Sequence, residues 1–443
     1  MVIRKSQLFD FTVYLLFIIF TIYDFIANID LSKSLFVYMT FGIIATLSIC
    51  LFIKDDGFLT IDSLIYVFTY LFFYYAPLHQ YNEGINIHKY SSYTMWNYAS
   101  ANLIIILFII VYKLSRKYLN KQKSHLFKTH IVKLNQLSSL LLMIFSLLAL
   151  FYLYKTHNLF SLSDVTSTTG DESITKVILK IIRYIPISSL LMYIYLCQIE
   201  MVVLSKKWRI LFIAIVGFCC MIIFFPLNGT IGRFLLFGTY ISIVGSIFDD
   251  YKHKSVIVLV AFLGFYYIFP AMNFFKNHTL SDISSFVLGG FDAGFIDYDA
   301  YQLLMQTMIY VKDNGLTFGA NIISALLCII PRSIWKGKLE PSGAIVSGSY
   351  NAVFTNVSCP LPAEFYLSFG ILGIVVLTVL FSKLIGYIEN AKQRNNVLLR
   401  GYYYIFVGII ISYMRGAMLP VTSFLYSLFI AYTLVYLVCK ICR

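Results

Sequence analysis

Long apolar runs separated by short polar segments make up most of this chain. A helix needs about 20 apolar residues to cross the hydrocarbon core of a bilayer, and by that length the pattern predicts about twelve membrane spans. The predicted spans are 9–28, 34–53, 58–78, 94–113, 134–154, 174–200, 208–226, 230–249, 255–273, 362–388, 402–416 and 418–438. The predicted fold class is therefore an all-α polytopic membrane protein.

Basic residues between the spans give the orientation. If Arg4 and Lys5 lie in the cytoplasm, alternation of the spans places the other strongly basic segments there as well. Those segments are 113–133, 206–209, 252–254, 383–400 and 440–443. Cytoplasmic loops of membrane proteins carry such an excess of Lys and Arg. We therefore predict cytoplasmic termini, membrane-spanning parts at 1–273 and 362–443, and one large external loop at 274–361.

The external loop is longer than most connections between helices, and loops of this length are usually functional or disordered. Apolar residues recur with helical spacing at 301–311 and 321–330, a periodicity that disordered segments lack. We therefore expect two helices in the loop, lying on or dipping into the membrane face. A passive translocated loop is the alternative.

The composition excludes several classes of protein. Of the 443 residues, 59% are apolar and only 12% are charged, whereas a soluble domain carries about 25% charge. The mean hydropathy is +0.80. A cytosolic enzyme, a nucleic-acid-binding protein and a disordered chain are excluded, because none of these could keep so much apolar surface from water. The net charge of +13 follows mainly from the basic cytoplasmic loops.

Four basic residues lie on the predicted outer side, against this trend: Arg233, Arg332, Lys338 and Arg415. A single arginine at the membrane edge is often an anchor whose charged end reaches the headgroups. Several from distant segments on one face instead suit a pyrophosphate, because the planar guanidinium binds phosphate oxygens with two hydrogen bonds. We therefore predict that these residues bind a pyrophosphate.

Three carboxylates on the same side are candidates for a general base. Glu364 lies at the mouth of a predicted span, and Asp297 and Asp299 lie in the loop. A carboxylate near an apolar boundary has a raised pKa and can accept a proton from a hydroxyl. Glu364 could equally complement a helix dipole, and the two aspartates could cap a helix or face water.

The sequence contains no HxxH or HExxH spacing, no phosphate-binding Gly-Lys loop, no GxSxG and no GxGxxG. We therefore predict no metal site and no cofactor. His79, His88 and His278 are also on the predicted outer side, and each is a further candidate base because histidine is a common general base. Tyr298, Trp335 and Tyr350 could stack on sugar faces or anchor the chain at the interface.

Two segments, Phe318-Gly319 followed by IPRSIWKGK at 330–338, and then 363–373, occur in this order along the chain. They resemble two consecutive segments of the bacterial oligosaccharide repeat-unit polymerases, the Wzy-type O-antigen polymerases. The run 228–234 and Arg415-Gly416 also fit. The likeness of sequence covers mainly 228–240 and 290–420, and the layout of spans covers the whole chain.

The resemblance implies a GT-C-like glycosyltransferase of the bacterial inner membrane. It would join oligosaccharide repeat units carried on undecaprenyl pyrophosphate into O-antigen at the periplasmic face, without a nucleotide sugar or a metal. A chain-length regulator and a flippase of the same pathway would be partners. Carried over residue by residue, Arg233, Arg332 and Arg415 would hold the pyrophosphate. Glu364 is the first candidate for the base.

Two other functions remain open on the sequence. A flippase for lipid-linked oligosaccharides would also need cations, but along a central cavity near the middle of the membrane. Lys176, Lys180 and Arg183 share one face of the sixth predicted helix and could line such a cavity. An O-antigen ligase would use the same donor with a different acceptor.

Overall fold

The computed structural model describes residues 5–55, 57–88, 93–119, 132–156, 174–225, 232–249, 251–271, 289–350, 357–392 and 396–442. The described chain is almost entirely helical. In chain order the helices are α1 (Lys5–Ala27), α2 (Leu35–Lys54), α3 (Ile61–Glu83), α4 (Met95–Leu119), α5 (Gln136–Lys155), α6 (Ile174–Gln198), α7 (Lys206–Ile223), α8 (Arg233–Ile247), α9 (Ser255–Ala271), α10 (Ala300–Asn314), α11 (Ala320–Leu326), α12 (Ser342–Gly348), α13 (Leu361–Lys392), α14 (Val397–Arg415) and α15 (Met418–Ile441). The described ranges contain no β-strand, only an isolated bridge between Leu134 and Val202.

Within the described ranges, nine helices are long and apolar enough to cross a membrane, namely α1 to α6 and α13 to α15. This confirms an all-α polytopic membrane protein. Most of the described residues of the remaining three predicted spans are also helical. However, α8 and α9 are shorter apolar helices, and α7 begins with the basic residues Lys206, Lys207 and Arg209. Crossing by α7, α8 and α9 stays a prediction.

Ion pairs join the helix ends that the charge pattern assigns to the cytoplasm. Arg116, at the end of α4, lies with its Nε 3.1 Å from the Asp62 Oδ1 of α3 and also pairs with Glu389 of α13. Further pairs in this region are Lys254–Asp55, Lys392–Asp249 and Arg400–Asp249. Buried charges are stable only when paired in this way. The start of α3, the ends of α4 and α13, and the start of α14 therefore lie at one end of the bundle.

Helices α8 and α14 run antiparallel in close contact. A Cβ atom added at Gly408 would lie 2.0 Å from the carbonyl oxygen of Gly238, so only two glycines allow this approach. Small residues at a helix–helix contact let two backbones come together in this way. As a result the start of α8, at Phe234, lies beside the end of α14, at Arg415.

The external loop contains helices at both predicted places. Helix α10 covers 301–311 and buries Tyr301, Leu304 and Met305, while α11 covers the first part of 321–330. The pattern did not predict α12, whose sequence SGAIVSG has no helical periodicity. Helix α13 is interrupted at Phe369 and Gly370, because Gly370 has a φ of 62° that favours glycine.

Candidate functional site

Three distant segments meet around Arg415, which ends α14 at the opposite end of the bundle from the ion pairs of Arg116 and Arg400. Arg415 Nε donates to the carbonyl oxygen of Asp297 at 3.1 Å, and Arg415 Nη2 donates to Asp299 Oδ1 at 3.0 Å. The guanidinium carbon lies 4.4 Å from the centre of the Phe234 ring, which belongs to the first turn of α8. The structure therefore places Arg415 and the two aspartates in one cluster.

Asp299, which immediately precedes α10, is the central acceptor of this cluster and is only 1% exposed. Its Oδ2 accepts from His88 Nε2 at 3.2 Å and from the backbone N–H of Ser358 at 3.4 Å. Burial alone would raise the pKa of Asp299, but Arg415 and His88 together hold the pKa below its ordinary value. Asp299 is therefore an ionised partner of Arg415, and it fixes the His88 ring.

Two buried glutamines hold the turn that carries both aspartates. Gln80 of α3 donates through Nε2 to the carbonyl oxygens of Ala293 and Tyr298, at 3.1 and 3.0 Å. Gln302 of α10 donates to Gln80 Oε1 at 3.1 Å. The sequence analysis did not select these glutamines. Gln302 could have been selected as an amide among apolar residues, because a buried amide is costly unless it is hydrogen-bonded, but Gln80 lies in a polar stretch and gave no such signal.

Glu364 is enclosed by donors from three other helices. Its Oε2 accepts from Asn321 Nδ2 of α11 at 2.8 Å and from Ser342 Oγ of α12 at 2.7 Å. Its Oε1 accepts from the N–H of Met418, the first residue of α15, at 2.7 Å. A carboxylate at a helix N-terminus satisfies free N–H groups and complements the dipole. Glu364 thus joins four helices, and only two residues, Gly416 and Ala417, separate Met418 from Arg415.

Arg332 and Lys338 make their described contacts within their own part of the loop. Arg332 Nη1 donates to the Lys338 carbonyl oxygen at 2.9 Å and lies 3.0 Å from Glu340 Oε1. The buried Lys338 ammonium donates to the carbonyl oxygens of Cys328 and Ile330, at 2.7 and 3.1 Å. Both cations therefore satisfy acceptors of the segment that contains them.

The remaining predicted residues take different positions. Arg233 begins α8, and its neighbour Phe234 contacts Arg415, but the Arg233 side chain lies outside the described part of the chain. His278 lies outside the residues that the structure describes. Tyr298 is fully buried, and its hydroxyl donates to the Phe265 carbonyl oxygen at 2.7 Å. Trp335 and Tyr350 are half-buried in the loop. The described contacts therefore do not bring the three aromatic residues together.

No metal site is visible in the described ranges, where no three His, Cys, Asp or Glu side chains lie close enough to share an ion.

Searches against protein-family models, curated protein sequences and solved structures found no significant match to this chain. The chemistry of the site therefore has to be inferred from its own geometry.

Proposed function

We propose that this protein is a glycosyltransferase that uses a lipid pyrophosphate as leaving group. It polymerises oligosaccharide repeat units carried on undecaprenyl pyrophosphate at the periplasmic face of the bacterial inner membrane. The observation that carries the proposal is that part of the Arg415 guanidinium is fixed by hydrogen bonds while the rest is available to a ligand. Asp297 and Asp299 fix its Nε and Nη2, whereas its Nη1 makes no hydrogen bond to any described residue, and the side chain is 17% exposed.

This arrangement suits transfer from a pyrophosphate. The acceptor hydroxyl oxygen forms a bond to the anomeric carbon of the donor, the bond from that carbon to the pyrophosphate oxygen breaks, and the hydroxyl proton passes to a base. Negative charge develops on the leaving pyrophosphate. A fixed cation with free donors stabilises that charge without having to reorganise. Arg233 and Arg332 are the further arginines that the resemblance assigns to this role.

Two groups can take the proton from the acceptor. Glu364 would have to release at least one of its three donors first. His88 is already held at Nε2 by Asp299, which leaves Nδ1 to accept a proton, as in an orienting carboxylate–histidine pair. The variants Glu364→Gln and His88→Gln distinguish these bases, because only loss of the true base lowers turnover while substrate binding remains.

One observation favours a flippase as the second candidate. Lys180 lies within the spanning part of α6, where its Nζ donates to Ser423 Oγ of α15 at 3.0 Å and lies 4.7 Å from the Phe424 ring centre. Charged groups inside a membrane helix often mark a substrate pathway. A flippase would use this cation within the bundle rather than Arg415 at its end.

Deletion of the gene in its native host distinguishes the candidates. Loss of a polymerase leaves lipid A-core capped with a single repeat unit on a gel of the surface polysaccharide, whereas loss of a flippase or ligase leaves bare core. Complementation with Arg415→Ala should leave single-unit capping, and the exposed-residue control Lys312→Ala should restore long chains. Bare core in the deletion strain would refute the polymerase.

A further inference from the structure

From Phe318 to Ile329 the loop exposes large apolar side chains and buries polar ones, whereas Ser333 and Lys336 beyond the turn are exposed. Six large apolar side chains are between 46% and 78% exposed: Phe318, Ile323, Leu326, Leu327, Ile329 and Ile334. The polar side chains of Asn321, Ser324 and Lys338 are instead buried against the protein. In water the apolar side chains would be turned inward. This pattern is expected where the surrounding solvent is hydrocarbon.

Contacts with α15 show how far this segment descends. At its beginning, Asn321 bonds to Glu364, which also accepts from Met418 at the start of α15. Further on, the Leu326 carbonyl oxygen accepts from the Tyr426 hydroxyl at 3.0 Å. Tyr426 lies about 12 Å further along α15 than Met418, at 1.5 Å of rise per residue. Helix α11 therefore runs alongside α15 into the depth of the bundle.

The chain then returns to the level at which it entered. The Leu339 N–H donates to Ser324 Oγ at 3.0 Å, and Ser342 Oγ donates to Glu364 Oε2 at 2.7 Å. Asn321 and Ser342 thus bind the same carboxylate oxygen. The Glu364 carboxylate closes the neck of a hairpin-like loop.

The backbone of the turning part of this loop is satisfied internally. Lys338 Nζ donates to two carbonyl oxygens near the turn, those of Cys328 and Ile330, and Arg332 donates to the carbonyl oxygen of Lys338. Irregular backbone at membrane depth requires such partners, because hydrocarbon offers none. This gives Arg332 and Lys338 a role that is independent of any substrate.

We infer that 318–338 is a re-entrant loop that enters the outer leaflet and returns to the periplasmic side, with its apolar face against the acyl chains of bilayer lipids. We assign lipid to this apolar face because the face is continuous with the exposed apolar surface of α13, a helix that is long and apolar enough to span the membrane. Gly319 packs against Phe369, and the next residues of α13, Ile371 and Leu372, are 63% and 66% exposed. The inference does not depend on glycosyltransferase activity.

Fluorescence quenching tests this placement in the full-length protein. Replacing Trp96, Trp208 and Trp335 by Phe gives a tryptophan-free background. Single tryptophans are then placed at Leu327 or Ile329, near the turn, and as a control at Lys312, an exposed position at the end of α10. Each variant is reconstituted in phosphatidylcholine vesicles whose acyl chains are brominated, and is titrated separately with aqueous iodide.

The tryptophans near the turn should lose most of their emission to brominated acyl chains and little to iodide, and the Lys312→Trp control should behave in the opposite way. Two separate positions keep the test valid if one variant does not fold, as judged by size-exclusion chromatography in detergent. Strong iodide quenching near the turn, equal to that of the control and without an effect of brominated lipid, would overturn the re-entrant loop.

Discussion

Replacing Arg415 by methionine tests whether this residue serves the fold alone or the fold and the substrate together. The change keeps an unbranched apolar stem but removes the guanidinium group and its charge. Asp299, 1% exposed, then remains as a buried carboxylate without its arginine. Removing one partner of a buried pair costs about 3–5 kcal/mol, a large part of the stability of a typical domain. The melting temperature of the purified protein in detergent should fall clearly.

The double variant Arg415→Met with Asp299→Asn separates the two roles. Neutralising Asp299 removes the unpaired buried charge that the single variant leaves, so the melting temperature should rise above that of Arg415→Met, towards that of the wild type. The long polysaccharide chains should nevertheless stay absent. Loss of one donor that stabilises a developing negative charge costs about 10²–10³ in rate, and neutralising Asp299 does not replace it.

Two results would refute this reasoning. If Arg415→Met melts at the wild-type temperature, then the pair contributes little to the fold. If the double variant makes chains of normal length in the deletion strain, then Arg415 does not bind the pyrophosphate, whatever it does for the fold. A conservative Arg415→Lys variant serves as the control for charge, and it should keep more stability than Arg415→Met.

Three further predictions concern pH and packing. Although burial favours the neutral form, Arg415 and His88 keep the pKa of Asp299 below its ordinary 3.8. The stability that ionised Asp299 contributes should therefore be present above pH 3.8 and be lost as the pH falls below it. If the Asp299→Asn variant loses the same amount of melting temperature in acid as the wild type, this prediction is wrong. Glu364→Gln should lower the melting temperature by the equivalent of about 1–3 kcal/mol, because an amide group would face donors, whereas the half-exposed control Glu340→Gln should change it little; equal effects would contradict the proposed neck. Gly408→Ala should reduce the amount of folded protein, because its Cβ would overlap a carbonyl oxygen of the facing helix, and Gly217→Ala, with open space around it, should not.

The membrane spans could be predicted from sequence because crossing a bilayer imposes a length and a composition that no other constraint obscures. The helices of the predicted external loop were predicted from a different signal, the helical spacing of apolar residues at 301–311 and 321–330. Helix α12 was not predicted, because its seven residues, SGAIVSG, contain only two adjacent large apolar residues and therefore no helical periodicity. The break in α13 depends on the left-handed backbone of Gly370, which glycine permits but does not require.

The sequence analysis selected the charged residues of the site, but it did not predict which of them pair with one another. Sequence position placed Arg415 and Asp299 on one side of the membrane, but their contact depends on how α8, α10 and α14 pack. The sequence also gave Arg332 and Lys338 the same expected role as Arg415. Their bonds to nearby carbonyl oxygens depend on the turn at 328–340, whose conformation follows from tertiary contacts. In the same way, the sequence could not show that 318–338 exposes its apolar side chains and buries Asn321 and Ser324, because burial depends on how the helices pack.

Reconstitution of the purified protein with a lipid-linked repeat unit tests the central claim most directly. Vesicles would contain the protein and a fluorescent oligosaccharide on undecaprenyl pyrophosphate, with no nucleotide sugar. The account predicts a ladder of longer oligosaccharides and the release of one undecaprenyl pyrophosphate for each new glycosidic bond, with neither product for Arg415→Met. Movement of the labelled unit across the vesicle membrane without any new glycosidic bond would contradict it.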